Sequence, residues 1–395
     1  MTTIDKKIAN LCKLLKNKYE GNNKKEIKRL LSEVLTPYEL SYFYYYALFS
    51  INHNKGDVEI SKKLKMSIEE VYLTPFKGTM TLTFGEVAES HVGMQQLGKK
   101  AEKGFQLHEL KRAQRYFDKR GCKTTLVKLN DFLPNSFVPD TEKERKALHN
   151  AKTEDSFQAY VLIARDGMKC LTGDTNGKEL TTQMLFYEWD SQMFDAKKEK
   201  VTNKNARHNL NFDDKSQKSN FEIGHGTTIS WDEVPILKSL KAKLVIAFGN
   251  AAKELKCEGN KYYNLKKCGI GRHGDTERKK VIGVRLGSSM TMMWNWSFMY
   301  RPRGLNISFV LNPGDVYCMS EKSVGTDWKS GSKYTIRHAA GGAKYTTCAP
   351  GRSQKLLEVK NQRSSSEYDG LTLGDIWFRP GKSQKDPNPV LKKMP

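Results

Sequence analysis

From residue 242 onward the chain breaks into short β-prone runs, each closed by Gly, Pro or Asn: NKYYNLKKCGIG, KKVIGVRLG, MTMMWNWSFMY, LNISFVLNPGDVYCMS and KYTIRHAA. Closely spaced strands of this kind cannot bury themselves in a helical bundle, and they predict a β-sandwich or barrel. Upstream the texture differs. IANLCKLLKNKYE and KKEIKRLLSEVL space apolar residues by three and four, and Thr36-Pro37 has the form of a capped helix start, so residues 1–75 read as a helical N-terminal domain. Residues 76–150 read as a helical or mixed connecting region, with GEVAESHVGMQQLGKKAEKGFQLHELKRAQRYFDKRG as two helices and KTTLVKLNDFLP as a strand entering a loop. Residues 151–350 form the α+β core, in which YVLIA before an Asp-Gly turn is a strand, TTQMLFYEWDSQMF has helical spacing, and the polar stretch 196–228 is a long loop. Residues 351–395 are a polar C-terminal extension that drapes over the surface.

Within the β-rich part, GIGRHGDTERKKVIGVRLG holds His273 and Asp275 two residues apart. On a strand that spacing points both side chains to one side. The remaining histidine of this part, His338 in RHAAGG, lies 65 residues on. Two histidines and one carboxylate on one face of a metal leave three positions open, the arrangement by which non-haem iron(II) takes a co-substrate and dioxygen. Gly314-Asp315 reads as the turn that starts the strand preceding His338, and Gly341-Gly342 as the next turn. The competing reading of the three residues is a His–Asp pair in a loop and a histidine packed in a core.

Over roughly residues 155–350 the sequence resembles the AlkB-like branch of the 2-oxoglutarate-dependent oxygenases, and more closely the dioxygenase-like proteins associated with large DNA viruses and algae. NKYYNLKKCGIGRHGDTE, GVRLG, LNPGDVY and RHAAG carry the resemblance. It implies a double-stranded β-helix (jelly-roll) domain, Fe(II) on His273, Asp275 and His338, and 2-oxoglutarate as co-substrate. Asn260 and Tyr262 match the family's Asn-x-Tyr, which helps hold that acid. The paired arginines that the family places beyond its distal histidine are missing at their usual spacing, so Lys344 and Arg352 are the candidates for the carboxylate clamp. Arg207 and His208 in NKNARHN occupy the segment where AlkB-like enzymes keep a substrate-contacting loop; a solvated loop is the alternative.

The charge bears on the substrate. With 67 Lys+Arg against 44 Asp+Glu the formal net charge is +23, which attracts polyanions. The leading expectation is oxidation of a nucleic-acid base, by demethylation or hydroxylation, with nucleic acid as partner. A protein or small-molecule hydroxylase, and a catalytically inactive nucleic-acid-binding or virion structural protein on the same fold, are the alternatives.

Other signals are read as structural. His91 and His108 lack ligand spacing. The aromatic group Tyr42–Tyr46 with Phe49 is assigned to core packing, with base stacking as the alternative. Trp294, Trp296 and Tyr300 form an alternating aromatic strand, again for packing or stacking. Seven cysteines without a C-x-x-C pair suggest neither a disulfide framework nor a zinc ribbon. With no signal peptide and no apolar run near membrane length, an intracellular setting is expected, whether host cytoplasm or nucleus, or a virion.

Overall fold

The computed structural model describes residues 31, 35–55, 58–133, 139–346 and 376–379. The expected helices between residues 8 and 30, Cys12, Cys348, Arg352 and most of the C-terminal extension lie outside the described residues. Helices α1 (Pro37–His53) and α2 (Val58–Tyr72) come first. As the sequence predicts, α1 begins at a capping box: Thr36 Oγ1 accepts from the Glu39 N–H, the Glu39 carboxylate accepts from the Thr36 N–H, and Pro37 occupies the first turn.

Strands β1 (Thr79–Gly85), β2 (Val87–Glu89) and β3 (Gln96–Gly98) follow, then α3 (Leu107–Asp118) and β4 (Thr124–Lys128). This corrects the two-helix reading of 85–121, whose first half is the β2–β3 hairpin. Next come α4 (Glu142–Thr153), β5 (Tyr160–Ala164), α5 (Gly167–Thr172), α6 (Lys178–Met184), β6 (Gln192–Asp195), β7 (Lys200–Asn203), β8 (His208–Asp213) and β9 (Thr228–Ser230). The stretch 196–228 is therefore not one long loop, because β8 is a buried strand of the main sheet. Helix α7 (Pro235–Phe248) was not anticipated, although Ile236, Leu237, Leu240, Leu244 and Ala247 recur at helical spacing.

The remaining elements are β10 (Lys256–Tyr262), β11 (Gly269–His273), β12 (Val281–Gly287), β13 (Met290–Phe298), β14 (Arg301–Leu311), β15 (Val316–Met319), α8 (Glu321–Val324), β16 (Thr335–Gly341), α9 (Ala343–Thr346) and β17 (Ile376–Arg379). The fold is mixed α+β. An eight-stranded sheet runs β4-β5-β15-β12-β1-β10-β8-β9, antiparallel except for β8–β9, and a five-stranded sheet runs β11-β16-β13-β14-β17. Since β1 and β4 belong to the large sheet, residues 76–150 supply strands to the core and do not merely connect to it.

Side-chain alternation sorts the large sheet into two faces. Met80, Leu82, Phe84, Leu210, Phe212, Ile282, Val284, Leu286 and Val316 face α1, α3, α6 and α7 in one apolar cluster. Val161, Ile163, Tyr262, Val281, Tyr317 and Met319 face Trp294, Trp296, Ile307, Phe309 and Ile336 of the small sheet in a second cluster, so the two sheets pack face to face.

Two further expectations change. Only Phe43 and Tyr44 of the N-terminal aromatic group are inside, whereas Tyr42, Tyr45, Tyr46 and Phe49 are exposed. Cys122 and Cys170 form an intrachain disulfide across 48 residues, with Cα atoms 6.6 Å apart. Nothing in the cysteine spacing signals that pairing, because the fold brings the start of β4 beside α5. Among the described residues no helix is long and apolar enough to cross a membrane.

Candidate metal centre

His273 closes β11 and His338 lies on β16, and the two are directly paired across the small sheet. Their rings are 4.4 Å apart. Asp275 follows the strand end, where its N–H donates to the Val324 carbonyl at 3.1 Å. Between the two ligand positions, Gly274 has a physical reason to be glycine: a Cβ there would lie 2.0 Å from the Gly325 carbonyl oxygen. Backbone passing that close to α8 is what swings Asp275 back toward the histidines.

Nε2 of His273 and Nε2 of His338 each lie 3.4 Å from Oδ1 of Asp275. Among the described residues this is the one cluster of three His, Cys, Asp or Glu side chains with donor atoms within 4.8 Å of one another. Nδ1 of His273 lies 2.8 Å from the Gly271 carbonyl, which fixes the tautomer that leaves Nε2 with its lone pair free. Burial alone pushes the Asp275 carboxyl up, but His338 and Arg278 beside it hold it well below the usual carboxylate range. Burial and the neighbouring His273 push His338 down. An ionised carboxylate beside a neutral imidazole is the state in which these groups bind a metal.

Arg278, nearly fully buried, divides the carboxylate: its Nε lies 3.4 Å from Oδ2 of Asp275, leaving Oδ1 to the histidines. The same guanidinium binds Glu258 at 2.7 Å and Glu277 at 2.8 Å. The network continues from Glu258 Oε1, which accepts from Asn260 Nδ2 at 2.9 Å, to Asn260 Oδ1, which accepts from Arg207 Nε and from Asn209 Nδ2. Arg207 and Asn260, read from the sequence as substrate and co-substrate residues, are thus bonded to each other and joined to Asp275 through Glu258 and Arg278.

The other sequence candidates separate. Tyr262 is buried between the sheets, one inward position along β10 from Asn260. His208 packs on the Tyr263 ring at 4.5 Å. Lys344 does not sit on a strand: it lies exposed on α9, with its ammonium 5.5 Å from the Tyr345 ring centre. His91 and His108 stay apart from the centre, the latter exposed beside Glu109. Trp294 and Trp296 are fully buried core residues, whereas Tyr300 is in the β13–β14 turn at positive φ and is exposed, so the aromatic alternation stops at Phe298.

Sequence reasoning missed Arg278, Glu258 and Arg285. For Arg285 a signal exists: it is the one charged residue in VIGVRLG, and it is wholly buried. Its inward neighbour Gly283 makes room for Tyr317, whose ring carbons would lie 2.0–2.1 Å from a Cβ at that position.

No family model matches the chain, and no solved structure matches it. A protein of Acanthamoeba polyphaga mimivirus, described as uncharacterized, is 40% identical over 273 residues, which is 69% of this chain and 99% of the mimivirus protein. At that identity, and with nearly the whole relative covered, the chain belongs to the same protein family as this mimivirus protein.

Proposed function

We propose that the chain is an Fe(II)- and 2-oxoglutarate-dependent oxygenase, with its small sheet and the facing strands of its large sheet forming a double-stranded β-helix. One observation carries this reading: a single carboxylate oxygen stands 3.4 Å from Nε2 of two histidines that are cross-strand partners. The donor set fits iron(II), since two imidazoles and one carboxylate leave open positions for a chelating acid and dioxygen. The strand order β11-β16-β13-β14 supports the fold assignment, because it brings a near His–Asp pair beside a histidine far along the chain.

When bound, iron(II), 2-oxoglutarate and dioxygen together supply the oxidising chemistry, with the acid leaving as succinate and carbon dioxide. The protein's part is positional. The Gly271 carbonyl orients His273, Arg278 engages Oδ2 of Asp275 so that Oδ1 is left to the two histidines that would hold the metal with it, and Trp294, paired with His338 on the adjacent strand, helps keep bulk water from the inner side. Asn260 has its donor and acceptor committed to Glu258, Asn209 and Arg207, so it holds the wall of the co-substrate space. The net charge of +23 supports a polyanionic substrate, and a nucleic-acid base is the substrate class we assign.

The test is iron(II)-dependent conversion of 2-oxoglutarate to succinate, with and without single-stranded and duplex DNA, beside Asp275→Ala. Turnover that disappears in the variant and rises with DNA is expected. Absence of turnover in protein loaded anaerobically with iron(II) would overturn the oxygenase assignment.

A further inference from the structure

The inner face of the large sheet carries an unusual cross-strand row. Asn209 of β8 pairs with Asn260 of β10, Asn260 with Thr81 of β1, and Thr81 with Arg285 of β12. All four are buried, none more than 8% exposed, at positions where the alternation calls for apolar residues. Asn209 and Asn260 satisfy each other and their neighbours. Arg285 is different. Its Nη1 donates to Thr81 Oγ1 at 2.6 Å and approaches the Met290 sulfur at 3.5 Å, but Nε and Nη2 have no acceptor.

Those two nitrogens form one edge of the guanidinium, the edge whose parallel N–H bonds match the two oxygens of a carboxylate. A wholly buried guanidinium with that edge unpaired is costly to the fold, and proteins pair such charges. The acid in its surroundings, Asp315, is already engaged: its carboxylate binds Arg165 at 2.6 Å and the N–H groups of Asp166 and Asn312 at 2.9 and 2.8 Å. Tyr262 and Tyr317 also interact with Arg285, and burial keeps both phenols protonated, so they are neutral groups and not counter-ions. The Tyr317 ring packs edge-on against Trp294 at 6.4 Å, and Trp294 is the cross-strand partner of His338, which relates this place to the metal centre.

We propose that Arg285 anchors a carboxylate-binding site between the two sheets, and that it holds the end of a short dicarboxylic acid remote from the metal. The naming of that acid as 2-oxoglutarate rests on the oxygenase reading; the carboxylate site does not. Arg285 thereby replaces Lys344, which is exposed on α9, as the clamp. Because it lies on β12, ahead of His338 in the chain, no search beyond the distal histidine finds it.

The experiment compares 2-oxoglutarate with pyruvate, which has the same keto-acid head and no remote carboxylate, by calorimetric titration of Mn(II)-loaded protein. Wild type is expected to prefer 2-oxoglutarate. In Arg285→Met the Kd for 2-oxoglutarate rises about tenfold to a hundredfold, the range for losing hydrogen bonds to a charged group, while that for pyruvate stays unchanged. Arg285→Lys restores part of the preference. The thermal midpoint of ligand-free Arg285→Met, equal to or above wild type, shows that the variant folds, since it removes an unpaired buried charge. Retention of the full preference in Arg285→Met overturns the site. If Mn(II) does not bind wild type, the metal reading fails separately, and the site is then judged on metal-free protein: glutarate must raise the wild-type thermal midpoint and leave that of Arg285→Met unmoved, and any other result overturns it.

Discussion

The two faces of the eight-stranded sheet are made by the same strands and do opposite work. On β12 Ile282, Val284 and Leu286 point to the helices and join a continuous apolar core, while Val281, Gly283 and Arg285 point to the small sheet. On β1 and β10 the contrast is sharper: Met80, Leu82 and Phe84 lie on the helix side, and Thr81, Glu258 and Asn260 on the other. The helix side is where burial of apolar area holds the domain together. The inner side gives up part of that gain to keep polar groups at defined places, the pattern of a site supported by a scaffold.

The contrast is broken most severely at Arg278. Arg278→Ala leaves Asp275, Glu258 and Glu277 without their shared cation, and a loss of about 3–5 kcal/mol in urea unfolding is expected, together with weaker metal binding. A loss under about 1 kcal/mol would mean that the network tolerates its own removal. Next come two neighbours with opposite orientation. Leu82→Ala should cost about 2–4 kcal/mol with metal affinity unchanged, whereas Thr81→Val should cost about 1–3 kcal/mol by leaving Arg285 with no oxygen acceptor, and should alter carboxylate binding. Equal effects of both on ligand affinity would erase the division between faces.

A smaller effect belongs to the helix side. Glu179, in the first turn of α6, is pushed up to about 7 by burial and by Asp174, itself pushed up to about 6 mainly by burial. A carboxyl whose pKa is raised on folding stabilises the fold fully below its unfolded value near 4.5 and loses that contribution as pH climbs through about 7. The thermal midpoint should therefore fall between pH 5 and pH 8, and the fall should be shallower in Glu179→Gln. An unchanged slope in the variant would assign the fall to other groups. The smallest effect is expected at Lys344: Lys344→Ala, on an exposed turn of helix, should leave 2-oxoglutarate affinity within about twofold of wild type.

What could be read in the sequence follows the range of each interaction. His273, Asp275 and His338 were singled out by the His-x-Asp pair and the one other histidine of the β-rich part, but the local reasons did not hold: Asp275 lies past the end of β11 and is turned back at Gly274, and Gly314-Asp315 opens β15, not the strand that carries His338. The start of α1 at Thr36-Pro37 was legible because its capping box is a local signal. The network around Arg278 was not, since Glu258 and Arg207 reach it from strands whose pairing the sequence does not state. β8 was hidden for a related cause: HNLNFD turns Asn209 and Asn211 toward the polar inner space, so it lacks the apolar run by which a buried strand is recognised. Arg285 was visible as a lone charge in an apolar strand, but its meaning depends on Thr81, which lies 204 residues away.

That distance has a consequence for how the chain reaches its native state. β1 lies in the middle of the large sheet, hydrogen-bonded on one side to β10 and on the other to β12, both contributed from far downstream. During synthesis it emerges with both of its edges bare and must wait for about half the polypeptide before either partner exists, an ordering that slows folding and exposes sticky intermediates. The chain should therefore fold late and cooperatively, with helper proteins in attendance, and a fragment beginning after residue 85 would carry two half-sheets with a gap where the seam belongs.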